Sequence, residues 1–354
     1  MLNFSVGPVQ SDESVLKIGG QQIPYFRTEE FSKIMLENEN MILELLNAPS
    51  QAKAVFITGS GTASMEAVVM NTLRISDKAL VVNGGSFGQR FVELLKLYNI
   101  PYDEISLGVG ENLTKDKLSQ YESKNYTAFL VNLHETSTGV LYDAQLISDF
   151  CKRNGLFLVV DAISAFLADN VDMLGLGANV IITGSQKALA CAPGVSIIVL
   201  SKEAIKRVFE KNAKCMYLNL KSALKNQERG QTPFTPAVSV LLQIHERLRH
   251  IKSQGGVCGE VAKVKDLAQY FRENIKNLPL EMVTKSPSNA VTALYTKDIS
   301  AYEVCNILKN EYGIWVCPNS GEMKDKIFRV GHIGALSYED YDVLISALTK
   351  LFYN

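Results

Sequence analysis

No stretch of this 354-residue chain approaches the roughly 18 consecutive apolar residues that a membrane-spanning helix requires. The opening MLNFSVGPVQ lacks a basic segment followed by an apolar run, so a secretory leader is not expected. Charge of one sign is also lacking, since 36 lysines and arginines face 37 aspartates and glutamates. That balance argues against nucleic acid or a membrane surface as partner and leaves a small molecule. The cysteines, Cys151, Cys191, Cys215, Cys258, Cys305 and Cys317, show no C-x-x-C or other metal-type spacing, and His134, His245, His250 and His332 are equally dispersed. No metal site is expected, and scattered thiols suit a reducing, cytoplasmic setting. What is present is ample apolar material, 47% of the chain, enough for a sizeable core and a length that fits two domains.

From about residue 50 the chain alternates short β-branched runs with helical patterns. The runs are AVFIT (54–58), KALVVN (78–83), YTAFLVNL (126–133), LFLVV (156–160), NVIIT (179–183) and VSIIVL (195–200). Strands apolar on both faces and separated by helices predict an α/β fold, a mostly parallel sheet with helices on both faces. Ligands of such sheets collect at the carboxyl ends of the strands. Long helical stretches at 237–251 and 259–275 lead into a second alternation, from AVTALYT (290–296) to DYDVLISALTKLF (340–352), which predicts a smaller α+β domain. The expected division is a segment at 1–20, a large domain at 21–250 and a small C-terminal domain at 251–354.

Three motifs bring chemistry to one edge of the predicted sheet. FITGSGTASMEA is a strand, a Gly59-Ser60-Gly61-Thr62 turn and a helix, where free N–H groups and the helix dipole favour an anion. It is neither a Walker A loop nor a G-x-G-x-x-G fingerprint, and alone it is compatible with a plain strand-to-helix turn. LFLVVDAISAF delivers Asp161 at a strand end, where a carboxylate needs a partner unless it only caps a turn. ITGSQKALACAPG carries Lys187 into a loop of small residues; a desolvated amine there is a nucleophile for carbonyls, whereas a lysine that snorkels to solvent would be inert. Together the three match one cofactor, pyridoxal 5′-phosphate, which needs a lysine for its aldehyde, a carboxylate for its ring nitrogen and a cradle for its phosphate.

In order along the chain, Gly7-Pro8, GSGTASMEA, NGGSFGQR, HETSTGVL, VDAIS, GSQKALACAPG and FRVGHIG resemble the class V (fold type I) pyridoxal-phosphate aminotransferases, and within them the serine–pyruvate/alanine–glyoxylate branch. The resemblance covers nearly the whole chain. It implies that Ser60, Gly61, Thr62 and Gln186 hold the phosphate, Phe87 stacks on the ring, Thr136 bonds near the phenolic oxygen, Ile163 packs on the opposite face, Asp161 pairs with the ring nitrogen and Lys187 is the Schiff-base lysine. It further implies that Gly7 and Arg329 meet the substrate, the arginine by forking onto a carboxylate, although by itself Arg329 fits a surface ion pair equally well. Thr235 would reach the phosphate of a neighbouring subunit, so a homodimer with shared sites is implied. Two positions depart from the family pattern: Phe87 stands where a tryptophan or other aromatic is frequent, and Thr232 where a tyrosine is common.

The implied reaction is ping-pong transfer of an amino group from a small amino acid, of the serine or alanine type, to a 2-oxo acid such as pyruvate or glyoxylate. HETSTG also resembles the 2-aminoethylphosphonate–pyruvate aminotransferases. Cysteine desulfurases share the fold but carry a histidine where Gln186 stands, and Cys305 and Cys317 fit structural roles. A non-catalytic binding module would retain the fold, yet lysine, aspartate, phosphate turn and arginine are all present. The residues leave the amino donor open, together with any tuning by His332, Tyr25 or Arg27.

Overall fold

The apolar runs become the strands of one seven-stranded sheet in a computed structural model that describes residues 1–353. The strands are β1 (Lys53–Thr58), β2 (Ala79–Asn83), β3 (Tyr102–Ser106), β4 (Ala128–Asn132), β5 (Phe157–Asp161), β6 (Val180–Gly184) and β7 (Val195–Leu200). Their spatial order is β1-β7-β6-β5-β4-β2-β3. Pairings from β6 through to β3 are parallel, whereas β7 is antiparallel to both neighbours. Hence β1 again runs with β6, and every strand except β7 ends at the same edge.

Alternation along each strand explains why helices cover both faces. In β2, Leu80 and Val82 enter one apolar core while Ala79 and Val81 enter another. In β5, Leu158 and Val160 join the first core, and Phe157 and Val159 the second. Two helices that follow strands matter for the site: α1 (Gly61–Thr72) after β1 and α2 (Ser86–Leu97) after β2.

A smaller antiparallel sheet has the order β8-β9-β11-β10, formed by β8 (Leu280–Met282), β9 (Val291–Thr296), β10 (Cys317–Pro318) and β11 (Ile327–Gly331). It packs with the helices α3 (Gly256–Asn274) and α4 (Tyr338–Tyr353) around a third core. Phe4 lies in that same core, and Leu2–Asn3 pairs in parallel with Ile314–Trp315. Among the described residues no helix is long and apolar enough to cross a membrane.

Two elements escaped the reading of the sequence. The helix Glu29–Leu45 buries Phe31, Met35, Ile42 and Leu45 at helical spacing, and Thr28 caps it by accepting the Phe31 N–H. Strand β3 is an edge strand whose YDEIS lacks an apolar run, because only one side of such a strand needs burial.

Candidate active site

The lysine comes from a tight turn after β6. Ala190 N–H donates to Lys187 O at 2.7 Å, Cys191 N–H donates to Ser185 O at 2.9 Å, and the Ser185 hydroxyl donates to Ala192 O at 2.7 Å. These bonds hold Lys187 inward, where only 9% of it is exposed and its Nζ donates to Val6 O at 2.5 Å. Burial lowers the amine from 10.5 to about 8; Arg329 and Arg90 push the same way, while Cys317 and Asp161 oppose. The amino-terminal segment lies against this side chain. A Cβ at Gly7, whose φ is +124°, would stand 2.7 Å from Lys187 Cδ and 2.8 Å from Nζ, so only glycine fits.

Asp161 ends the fully buried β5, one strand away from the lysine's. Its Oδ1 accepts the Ile163 N–H at 2.8 Å. Burial raises its pKa to about 6, with Glu135 adding and the Ile163 N–H, Arg90 and Lys187 opposing. The Thr136 hydroxyl lies 2.7 Å from that of Ser164, on the chain that leaves β5.

At the start of α1, Ser60 is extended and makes no side-chain cap. Ala63 N–H turns back to Ser60 O at 2.9 Å, but Gly61 and Thr62 N–H find no partner among the described residues. Ile163 approaches this end so closely that a Cβ on Gly61 would run into its Cδ1. Arg90 of α2 donates to the Thr62 hydroxyl at 3.0 Å, and its guanidinium lies 4.8 Å from the Phe87 ring centroid, within cation–π range. Gln186 is half-buried, and its side chain has no hydrogen bond among the described residues.

Arg329 crosses from β11 toward the large sheet. Its Nη1 donates to Thr136 O at 3.3 Å and its Nη2 to Pro318 O at 2.8 Å, while the buried Nε has no partner. A desolvated guanidinium with a free N–H is poised for an added acceptor. Lys187, Asp161, Gly61, Ile163, Thr136, Gly7 and Arg329 are thus linked by contact or charge, and Thr62 and Phe87 are joined to them through Arg90. Thr235 is exposed on a largely buried segment that runs past the end of β1, where Ala237 N–H donates to Thr58 Oγ1 at 3.1 Å, and among the described residues it shares no hydrogen bond with them.

Several residues at this site went unassigned in the sequence. Glu135 is fully buried and accepts N–H groups of Gly88 (3.1 Å) and Ser137 (3.2 Å), the Asn132 amide (2.8 Å) and the Ser137 hydroxyl. His134 is buried with neither ring nitrogen partnered, and burial, then the charge of Lys187, lowers it to about 3. Cys317 is half-buried rather than a core thiol; it pairs across the sheet with Arg329, and its Sγ accepts the Val6 N–H at 3.3 Å. Glu135 and Arg90 lay within HETSTG and NGGSFGQR, but only the fold shows what they touch. Arg27 is committed elsewhere, donating to Gln231 Oε1, Thr232 O and Pro233 O, and Tyr25 is exposed.

The family profile described as Aminotransferase class-V matches residues 24–323. A relative from Anabaena cylindrica, described as a soluble hydrogenase 42 kDa subunit, is 30% identical over 97% of this chain and 90% of its own length. An uncharacterized aminotransferase of Helicobacter pylori is 29% identical over 95% of this chain and 89% of its own. The crystal structure of an alanine–glyoxylate aminotransferase from Nostoc superposes with a TM-score of 0.92 at 25% identity, covering 99% of this chain and 94% of the other.

Proposed function

Since the chain belongs to the aminotransferase class-V family, we propose that this pyridoxal-phosphate-dependent transaminase carries the amino group of a small amino acid, of the serine or alanine type, to a 2-oxo acid such as pyruvate or glyoxylate in two ping-pong half-reactions. The observation that carries the reading is the buried amine of Lys187 beyond the end of β6, donating to Val6 O and within electrostatic reach of Asp161 and Arg329. When bound, the cofactor supplies an aldehyde that takes up amines and a ring that withdraws electrons from the substrate Cα. The residues present fit it: a buried lysine with one carbonyl partner, a helix end with free N–H groups, and an orphaned guanidinium N–H.

Each side chain then has a task. The Gly61 and Thr62 N–H groups, with the hydroxyls of Ser60 and Thr62 and the amide of Gln186, would bind the phosphate. Phe87 and Ile163 would enclose the ring, and the Thr136 hydroxyl would meet its oxygen substituent. Asp161 would hold a proton on the ring nitrogen, whose positive charge favours the carboxylate form against the burial that raises its pKa in the chain alone. Lys187 is the amine that would hold the cofactor's aldehyde and, when free, would move the Cα proton as general base and acid, a task that an amine lowered by burial suits near neutral pH. Arg329 takes the substrate carboxylate with its free Nε–H and one Nη, and Gly7 keeps the space beside Lys187 clear.

Thr235 fits a homodimer in which each chain completes its partner's phosphate site, because it is exposed and distant in bonding from its own site. The large unit is assigned to 21–250 and the small one to 251–354; of residues 1–20, Leu2–Asn3 and Phe4 join the small unit, whereas Val6, Val9 and Val15 enter a core of the large one. A cytoplasmic setting accords with the scattered free thiols. A second reading, 2-aminoethylphosphonate–pyruvate transamination, is favoured by HETSTG.

The deciding experiment follows the cofactor spectrum in half-reactions with L-serine, L-alanine, L-aspartate and 2-aminoethylphosphonate. Conversion by serine or alanine is expected; conversion by the phosphonate alone would select the second reading. Borohydride should fix the cofactor to wild-type protein, and the same fixation in Lys187→Ala would overturn the lysine's role.

A further inference from the structure

Along the strands that carry Arg329 lies a continuous run of buried polar groups that the chemistry above does not use. Asp169, 3% exposed, sits on the chain leaving β5 just after Ile163 and Ser164. Its carboxylate accepts the Ser288 hydroxyl and, at 2.9 Å, the Asn289 N–H. Arg272 of α3 donates to Ser288 O and, through Nε, to the Thr292 hydroxyl at 2.8 Å. Thr292 lies 2.7 Å from His332 Nε2, and His332 Nδ1 lies 2.8 Å from the Tyr341 hydroxyl, which in turn is 3.4 Å from Gly331 O. Ser288, Thr292, His332 and Tyr341 are all inaccessible to solvent.

One assignment of hydrogens satisfies every member. Arg272 is a pure donor, so Thr292 accepts from it and gives its own proton to His332 Nε2. His332 then carries its proton on Nδ1 and donates to Tyr341, whose hydroxyl donates to Gly331 O. Burial keeps His332 neutral by lowering its pKa well below the ordinary value, and Arg272 reinforces this.

The run brackets Arg329. Thr292 pairs with Val330 and Ala293 with Arg329 across β9 and β11, and Gly331 and His332 follow at the strand's end. At its other end the run is anchored through Asp169 to the loop carrying Ile163. It therefore spans from the cofactor side of the site to the strand that presents the guanidinium. We propose that Asp169, Ser288, Arg272, Thr292 and His332 act together as positioning residues that set Arg329 at the height where its free Nε–H meets a substrate carboxylate. The proposal rests on the carboxylate-binding reading of Arg329. A misplacement of about 1 Å at such a contact can cost up to a hundredfold.

The test uses the dimeric or monomeric holoenzyme as purified, with L-alanine and L-serine half-reactions as probes. Thr292→Val keeps the shape and removes the hydroxyl; Thr292→Ser keeps the hydroxyl. Valine should raise the apparent Kd for the amino acid about tenfold with the limiting rate and cofactor affinity within about twofold, and serine should restore it. Ser288→Ala, a milder change, removes one of the two bonds to Asp169 and leaves that from the Asn289 N–H; it should move the same Kd by about threefold, so an unfolded valine variant does not end the test. In an Arg329→Gln background, Thr292→Val should add nothing, since coupled residues are not additive. If Arg329→Gln weakens the amino acid but Thr292→Val and Ser288→Ala do not, or if they weaken cofactor equally, the proposal falls and the reading of Arg329 stands. If Arg329→Gln itself leaves the amino acid's Kd unchanged, that reading falls and takes the proposal with it.

Discussion

Helices α1 and α2 begin in the same way and end up with opposite tasks. Each follows a strand of the large sheet, each opens on a glycine-containing turn, GSGT for α1 and GGSFG for α2, and the two pack against each other at the same sheet edge. The amino-terminal N–H groups of α1 are left open. Those of α2 are closed by a carboxylate from elsewhere: Glu135 accepts from Phe87 and Gly88, and Ser137 Oγ accepts from Ser86. A Cβ on Gly85 would lie 2.6 Å from the Glu135 Cδ, so the carboxylate sits directly on the helix end. Both ends carry the same partial positive charge. Whether such an end binds an external anion depends on whether the chain supplies its own, and here the internal carboxylate leaves α1 as the open seat for a phosphate.

The most damaging way to break this contrast is to remove the internal carboxylate. Glu135→Ala strands buried donors on Gly88, Ser137 and Asn132 and should cost about 3 kcal/mol of folding stability, read by urea denaturation. Glu135→Gln, which keeps an acceptor, should cost less. If alanine costs nothing, the end of α2 is held by something other than this residue.

The open end can be obstructed instead. Gly61→Ala places a methyl against Ile163 Cδ1, an overpacking worth about 2 kcal/mol, or roughly 30-fold in cofactor affinity, with a smaller loss of stability because the side chain lies at the site's edge. Adding Ile163→Ala should recover much of the affinity by making room. Equal loss in the single and double variants would show that the free N–H groups, not the space, had been disturbed.

Anion seating and covalent capture can be separated by pH. In the cofactor-free protein burial favours the neutral form of Lys187, so the amine is reactive above about pH 8 and each unit below that should slow cofactor attachment about tenfold. Inhibition of attachment by inorganic phosphate, seated at α1, should not follow that midpoint. The same shift has a linkage consequence: between about pH 8 and 10.5 the unfolded chain still holds a proton that the folded site has shed, so the cofactor-free protein should gain stability as the pH rises across that window. A midpoint for attachment near 10.5 would mean that the lysine is solvated.

How much of this was legible in the sequence follows from how far apart the partners are in the chain. The strands, the sheet type and the open end of α1 were readable because a strand's apolar run and the GSGT turn are local. The closed end of α2 was not: GGSFG is the more glycine-rich turn and nothing in it shows that the end is occupied, because its carboxylate arrives from 47 residues away. Edge strand β3 was missed because pairing on one side demands no apolar run, whereas the Glu29–Leu45 helix had its periodicity in plain view. Cys317 read as an inert core thiol because nothing local to IWVC reveals that β10 lies beside Arg329.

The mildest change sharpens the comparison most, because it tests the one bond that joins the two helix ends. Arg90 reaches from α2 to the Thr62 hydroxyl on α1 while its guanidinium lies over Phe87. Arg90→Lys keeps the charge near the phosphate seat but loses the planar stack and the fixed fork, so the effect should be confined to geometry. The expected loss is about 1 kcal/mol, near fivefold in cofactor affinity, with folding stability unchanged to within about 0.5 kcal/mol since the residue is only partly buried. Thr62→Val should give a similar loss, and the two together should lose less than the sum if the bond orients the hydroxyl toward the phosphate. Additive losses would mean that Arg90 and Thr62 serve the site separately, and that the closed helix does nothing to shape the open one.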